Sequence, residues 1–156
     1  LAALSEKVIS PGTYVNAPAS FKFGRRLYHD HSRTGHGNIN VMQAIELSSN
    51  IFFYKMGIQL GIDRMAPYAR LVGLGAKTNI SLVNEVPGSI PTSEWKLKKL
   101  GEEWQPGENL SNAIGQGFVL VTALQMAVAY NAIGTEGQVV KPFLIKKILN
   151  EDSKVV

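Results

Sequence analysis

Apolar residues recur at helical spacing in the stretch after Asn40. Val41, Ala44, Ile45 and Ser48 fall at i, i+3, i+4 and i+7, which is one face of a helix. Asn40 precedes them as a good N-cap, so a helix is expected from Val41. The stripe ends on a hydroxyl, Ser48, and the pattern points it into the protein. A second apolar pattern follows Ser49-Asn50 with Phe52, Phe53, Met56 and Leu60. Asp63 is placed to cap a third helix reaching about Leu71, ahead of Gly73 and Gly75. Pro67 falls in its first turn, where a missing N–H costs little. Thr92 or Ser93 caps a short helix through Leu100. Thr122-Ala123-Leu124-Gln125 has the form of a capping box, with Val121 and Met126 placed as a hydrophobic staple. That helix runs through Ala127, Val128, Tyr130 and Ala132 to Gly134.

The rest of the chain is less periodic. Residues 1–8 read as the end of a helix, stopped by Ser10-Pro11-Gly12. Residues 13–38 have no clean period, and Phe21-Lys22-Phe23 is their one short strand candidate. Residues 76–91 and 101–120 carry turn-forming Gly and Pro and are expected to be irregular. Residues 142–149, Pro-Phe-Leu-Ile-Lys-Lys-Ile-Leu, read as a strand. The pattern is helix-rich with little strand, no repeat and no internal boundary, so residues 1–156 are read as one domain.

Composition narrows the classes. The chain has 156 residues, 45% hydrophobic and 18% charged, which excludes disorder. The net charge is +4 and the basic residues are scattered, which argues against a nucleic-acid surface. There is no cysteine, so disulfide scaffolds and thiolate chemistry are excluded. No apolar run is long enough to span a membrane. The opening Leu1-Ala2-Ala3-Leu4 reads as the middle of a helix, and a piece of a longer protein is expected.

Four groups are candidates for chemistry. All 3 histidines lie between His29 and His36, around Asp30, and imidazole with carboxylate is a good zinc set. A polar loop explains them as well, since cysteine and any helical His-Glu-x-x-His spacing are absent, and no metal ligand is assigned. Ser48-Ser49-Asn50 reads either as residues that stop a helix or as a hydroxyl and a carboxamide, two residues apart, projecting into one cleft. Gly115-Gln116-Gly117 lacks the third glycine of a dinucleotide loop and reads as a tight turn. Trp95 and Trp104, among Lys96, Lys98, Lys99, Glu102 and Glu103, read as anchors on a solvated amphipathic helix.

Taken in order, several blocks resemble one family. They are Gly35-His36-Gly37 with Ala44 to Tyr54, Gly61-Ile62-Asp63-Arg64-Met65, Val86 to Thr92, Glu94-Trp95-Lys96, Ala113 to Phe118, and Thr122 to Ala127. The chain is similar to the transpeptidase domain of the elongation-type class B penicillin-binding proteins, the penicillin-binding protein 2 group. The resemblance implies an α+β fold: a helix-rich part of the penicillin-binding and serine β-lactamase-like transpeptidase fold, its antiparallel sheet largely outside this chain. It implies that Ser48-Ser49-Asn50 is the family's Ser-x-Asn motif. Ser48 would relay protons between the motif lysines and the substrate, and Asn50 would bond the acyl-donor amide.

The family's other two motifs, the Ser-x-x-Lys nucleophile and Lys-Thr/Ser-Gly, are read as absent, one ahead of Leu1 and one beyond Val156. The resemblance implies a serine D-Ala-D-Ala transpeptidase that cross-links peptidoglycan stem peptides during elongation and is acylated by β-lactams. It implies an inner-membrane anchor, a periplasmic face, a RodA-type polymerase as partner and no cofactor. This chain alone is expected to be inactive. Some family members hold zinc beside the Ser-x-Asn motif with Asp, Asp, His and Cys ligands. Asp30 and His36 match two of these, while Asn16 and Ser49 stand at the others. Thr78-Asn79-Ile80-Ser81-Leu82 and Ala123 also depart from the family pattern, away from the chemistry. A β-lactamase, a penicillin sensor or a catalytically dead cell-wall scaffold are the rival readings.

Overall fold

The central element is the helix that the Phe52, Phe53, Met56, Leu60 pattern foretells. In the computed structural model, which describes residues 1–149, it spans Asn50–Leu60. It is α3, preceded by α1 (Ala2–Ser5) and α2 (Val41–Glu46). Ile51 and Phe52 are fully buried, and Tyr54, Met56, Gly57 and Leu60 are buried too. Burying a side chain of the Ile or Phe kind stabilises by about 1.5–3 kcal/mol, so this helix anchors the core. Ile9, Ala17, Ile39, Ala44 and Leu110 pack into the same cluster. The helix stops at Gly61, whose N–H donates to the Gly57 carbonyl at 2.8 Å.

Residues 13–38 hold more order than their composition foretells. β1 (Val15–Ala17) pairs antiparallel with β4 (Gly37–Ile39), and β2 (Ser20–Phe23) pairs antiparallel with β3 (Arg26–His29). The Phe21-Lys22-Phe23 strand is therefore present, as one arm of a hairpin turned at Gly24. Its partner strand lays Tyr28 edge-on against Tyr54 of α3, ring centres 5.4 Å apart. The strands are too short and too polar to show a period of two, which is why the sequence pattern misses three of them.

α4 (Ile62–Leu71) follows, then α5 (Ser93–Leu100), α6 (Glu108–Ala113) and α7 (Ala123–Gly134). Two expectations about α4 need correction. Asp63 lies inside the helix, and its carboxylate accepts from Ser93 N at 2.9 Å and Ser93 Oγ at 2.6 Å rather than capping α4. Pro67 lies beyond the first turn, inside the helix. Helix α6 falls in the stretch read as irregular. Its apolar content is low, and polar Asn109 and Asn112 are on its buried side. Thr92 caps α5, accepting from Trp95 N at 3.0 Å. The capping box at Thr122 forms as foretold, with Gln125 N donating to Thr122 Oγ1 and Thr122 N to Gln125 Oε1.

The chain divides into two compact units. The first comprises Leu1–Tyr68 and Ile90–Val119 and contains the core just described. Within it α3 and α6 pack closely at Gly57, where a Cβ would lie 2.6 Å from both Ala113 Cβ and the Asn109 carbonyl oxygen. Asn109 ties this region together, its Oδ1 accepting from Ile62 N at 3.0 Å and Trp104 Nε1 at 2.9 Å. Lys96, read as solvated, is only 3% exposed. Its ammonium pairs with Glu108 at 2.7 Å and Glu102 at 3.4 Å, and Trp95 and Trp104 flank Phe118.

The second unit comprises Ala69–Ser89 and 120–156, described to Leu149. Its centre is Gln125, fully buried, whose Nε2 donates to Ala76 O at 2.6 Å and Pro87 O at 2.8 Å. A single bridge joins Ser89 and Leu120. The expected strand over 142–149 is not formed among the described residues. Phe143, Leu144, Ile145 and Ile148 are each more than 60% exposed. A strand is stable only when a neighbour accepts its ladder, and no described segment pairs along this one. Helices with two small antiparallel sheets among the described residues make this an α+β chain, the class expected from its sequence.

Candidate functional site

The Ser48-Ser49-Asn50 tripeptide sits between two helices, and both helices are capped around it. Asn40 starts α2 with a reciprocal box: Gln43 N donates to Asn40 Oδ1 at 3.0 Å, and Asn40 N to Gln43 Oε1 at 3.1 Å. The helix ends after Glu46. Ser48 N donates to Ile45 O and Ser49 N to Ala44 O, closing a turn that places Ser48 in the left-handed region at φ +52°. Ser49 then caps α3, its Oγ accepting from Phe52 N at 3.4 Å.

This turn overturns the expected burial of Ser48. The helical count from Val41 to Ser48 assumes an unbroken helix, but the helix is already closed at position 48. Ser48 is exposed, Ile45 is 65% exposed, and Ser49 is the fully buried residue. Asn50, the first residue of α3, is half-buried.

Beneath the turn lies Asp30, whose side chain has no exposure. Its Oδ2 accepts from Ser49 Oγ at 2.9 Å and from Ile51 N at 2.9 Å. Its Oδ1 lies 3.0 Å from His31 Nδ1 and 3.2 Å from His36 Nε2, and Ser32 N donates to it at 3.4 Å. Burial pushes this carboxyl up. The donors Ile51 N, Ser49, Ser32 N and His36 together outweigh that and hold it below the usual carboxylate range. Burial also pushes the Tyr54 phenol up, with the charges of Asp30 and Tyr28 adding to it. The segment carrying Asp30 and His36 is itself braced. Asp30 N donates to Ala19 O, His36 N to Ala17 O, and a Cβ at Gly35 would lie 2.5 Å from the Pro18–Ala19 backbone. Gly35 is therefore required there by space as well as by its φ of +75°.

The zinc ion of some family members can be tested against these residues. Asp30, His31 and His36 bring three ligand atoms within 4.8 Å of one another. The closed four-ligand set does not fit. Ser49 offers a neutral hydroxyl already engaged by Asp30 and Phe52 N, and exposed Asn16 offers a neutral carboxamide where the family has a carboxylate. Asp30 is bonded to the turn directly, through Ser49 Oγ and Ile51 N.

One motif statement also needs correction. Ser93-Glu94-Trp95-Lys96 does carry the Ser-x-x-Lys spacing that was read as absent. Its environment does not suit a nucleophile and base. Ser93 Oγ donates to Asp63, and the bond to Glu108, against a smaller effect of burial, holds the Lys96 ammonium above its usual range. A base must be able to lose its proton near neutral pH, and this lysine is held in the protonated form. Gly115 and Gly117, both at φ +74°, form the tight turn expected of them, and a Cβ at Gly117 would meet Asn112 Nδ2 at 3.1 Å. A separate cleft of about 540 Å³ beside Arg25, Arg26, Tyr28 and Asn112 has neither Ser48 nor Asn50 in its lining.

The structure thus gathers Ser48, Asn50, Asp30 and His36 around one helix start. The sequence reading gives Asp30 and His36 as a polar loop or as zinc matches, and Ser49 as the middle of the motif and a missing ligand, with no link between Asp30 and Ser49. A serine directly before an apolar helical run is an N-cap signal, and it could have marked Ser49. No local signal connects Asp30 with a residue 19 positions away.

Comparison with known proteins bears on the family and the fold. The family described as penicillin binding protein transpeptidase domain matches residues 1–155. A Haemophilus influenzae protein named peptidoglycan D,D-transpeptidase MrdA is 35% identical over 95% of this chain and 23% of its own length. Penicillin-binding protein 2 of Helicobacter pylori, solved in complex with MreC, superposes with a TM-score of 0.89 at 33% identity, over 98% of this chain and 28% of that one. Penicillin-binding protein 2 of Pseudomonas aeruginosa, in complex with WCK 5153, gives 0.89 at 31% identity, over 93% and 32%. The chain spans about a quarter to a third of the length of these relatives. With a match along nearly its whole length, the chain belongs to the penicillin-binding protein transpeptidase domain family.

Proposed function

We propose that the protein carrying this chain is a peptidoglycan D,D-transpeptidase of the penicillin-binding protein 2 kind, and that residues 1–156 form part of a single transpeptidase domain. A serine supplied by the rest of the protein attacks the penultimate D-Ala carbonyl of a stem peptide. The bond to the terminal D-Ala breaks, D-Ala leaves with a proton, and an ester joins the donor peptide to the serine. An amine of a neighbouring strand then takes the acyl group and frees the serine. Ser48 relays protons between the motif lysines and the reacting groups, and Asn50 bonds the donor amide. β-Lactams react with the same serine and leave a stable ester. The site acts at the periplasmic face of the inner membrane, beside a RodA-type polymerase, without a cofactor.

The observation that carries this reading is the Ser48 turn. An exposed hydroxyl sits two residues from a half-buried carboxamide, at a helix start fixed from below by Asp30. Intact-mass measurement after incubation with benzylpenicillin tests it, on this chain and on the full-length protein. A stable gain of one drug mass in the full-length protein alone is expected. A gain in neither supports the dead scaffold, and rapid loss of the adduct supports a β-lactamase. A gain in the short chain would place the nucleophile inside it, with Ser93 the first residue to map.

A further inference from the structure

We propose that Asp30 is the positioning residue of the Ser48–Asn50 site: its carboxylate, bonded directly to Ser49 and Ile51, holds the turn in its working shape without a metal ion. The inference rests on the transpeptidase reading above. Its basis is an alternation along the chain. Ser49 and Ile51 are tied to one oxygen of Asp30, each at 2.9 Å, while exposed Ser48 and half-buried Asn50 occupy the intervening and preceding positions. Fixing residues 49 and 51 leaves the backbone at 48 and 50 little freedom.

Asp30 does this through the start of α3. The first N–H groups of a helix have no partner within it and carry partial positive charge. Asp30 accepts one of them from Ile51 directly. It reaches a second through Ser49, whose Oγ donates to Asp30 and accepts from Phe52 N. The other carboxylate oxygen faces His31, His36 and Ser32 N, so both ends of the group are fixed. The supporting loop is fixed in turn by Asp30 N to Ala19 O and His36 N to Ala17 O. Such a shell is what a proton-relaying hydroxyl needs, since misplacing a reacting group by about 1 Å costs roughly a hundredfold in rate.

Asp30→Asn keeps the shape but makes one end of the group a donor. That end then faces either the Ser49 hydroxyl and Ile51 N–H or the histidine side. Ser49→Ala removes one tie and leaves the Ile51 bond. In the full-length protein, stopped-flow acylation by a chromogenic β-lactam separates encounter affinity from the acylation rate, with the rate expressed per acylated site at saturation. Asp30→Asn is expected to lower the acylation rate roughly tenfold to a hundredfold with encounter affinity little changed, and Ser49→Ala by a smaller factor. A chelator is expected to leave the wild-type rate unchanged.

Hydrogen exchange gives a readout independent of catalysis. The Ile51 and Phe52 amides should exchange faster in Asp30→Asn, while those of the β2–β3 hairpin keep their rates. An unchanged acylation rate in Asp30→Asn overturns the proposal. So does a wild-type rate that falls with chelator and returns with zinc, because Asp30 would then act as a metal ligand. If the wild type is not acylated at all, the transpeptidase reading fails separately. The exchange result then decides whether Asp30 fixes the turn: faster exchange at Ile51 and Phe52 upholds it, and unchanged exchange removes it.

Discussion

Replacing Gly57 by alanine tests the contact on which the first unit is built. In an exposed helix interior this change stabilises by about 1 kcal/mol, because alanine loses less backbone freedom on folding. Here the added methyl would lie 2.6 Å from Ala113 Cβ and 2.6 Å from the Asn109 carbonyl oxygen. Carbon atoms rest at roughly 3.5–4.0 Å, so α3 and α6 would have to separate by about 1 Å. Overpacking of this kind costs about 1–3 kcal/mol, which outweighs the gain in propensity over most of its range. A net loss of about 1 kcal/mol is expected, and about 1.4 kcal/mol corresponds to a tenfold change in an opening equilibrium. Hydrogen exchange read on peptides from α3 and α6 in the full-length protein should therefore quicken several-fold. Gly134→Ala is the control. It makes the same chemical change at the end of α7 with nothing within 4 Å of the new methyl, and should leave α7 protected as before or better. If Gly57→Ala protects α3 as well as Gly134→Ala protects α7, the close approach is not the reason for glycine at position 57.

Other expectations follow from buried polar groups. Gln125→Ala strands the carbonyls of Ala76 and Pro87 and the N–H of Thr122, at about 1–3 kcal/mol for each group left unpaired, and exchange across 76–89 should rise sharply. Asn109→Leu removes the acceptor of Ile62 N and Trp104 Nε1, with a loss of about 2–5 kcal/mol and a red shift of tryptophan emission. Glu85 titrates low, chiefly through the Thr78 hydroxyl bond, opposed by burial and aided by the N–H groups of Thr78 and Asn79 and the charge of Lys77. Its support is therefore complete above the ordinary glutamate value of about 4.3 and is lost as the pH falls through the lower folded value. Exchange of the 76–89 segment measured from pH 6 to pH 2.5 should show that step, and Glu85→Gln should abolish it.

What was legible in the chain was what is local. The Thr122–Gln125 box, the Thr92 cap and the α3 stripe all depend on residues within a few positions of one another, and each forms as read. The Ser48 stripe failed because periodicity carries no signal for a helix that stops at Glu46, two residues short of it. Helix α6 was hidden because its buried side uses Asn109 and Asn112, whose partners come from elsewhere in the first unit or from its own backbone. Lys96 was misread for the same reason: a lysine reads as solvated until Glu108 and Glu102 are seen beside it. The site shows both sides of this. Ser48-Ser49-Asn50 was visible as a motif, while the carboxylate under it depends on a contact between residues 30 and 49 that only the folded chain makes.

The left-handed conformation of Ser48 sets two kinds of selection against each other. A non-glycine residue at φ +52° is held in a sparsely populated conformation, and glycine would adopt it without that penalty. Directed evolution scored on heat resistance alone should therefore favour glycine at this position, gaining stability while deleting the hydroxyl. A library scored on growth should keep serine. Where the two screens diverge, the disputed position marks chemistry, and the same divergence sought along the whole chain would locate other positions where function is retained at the expense of stability.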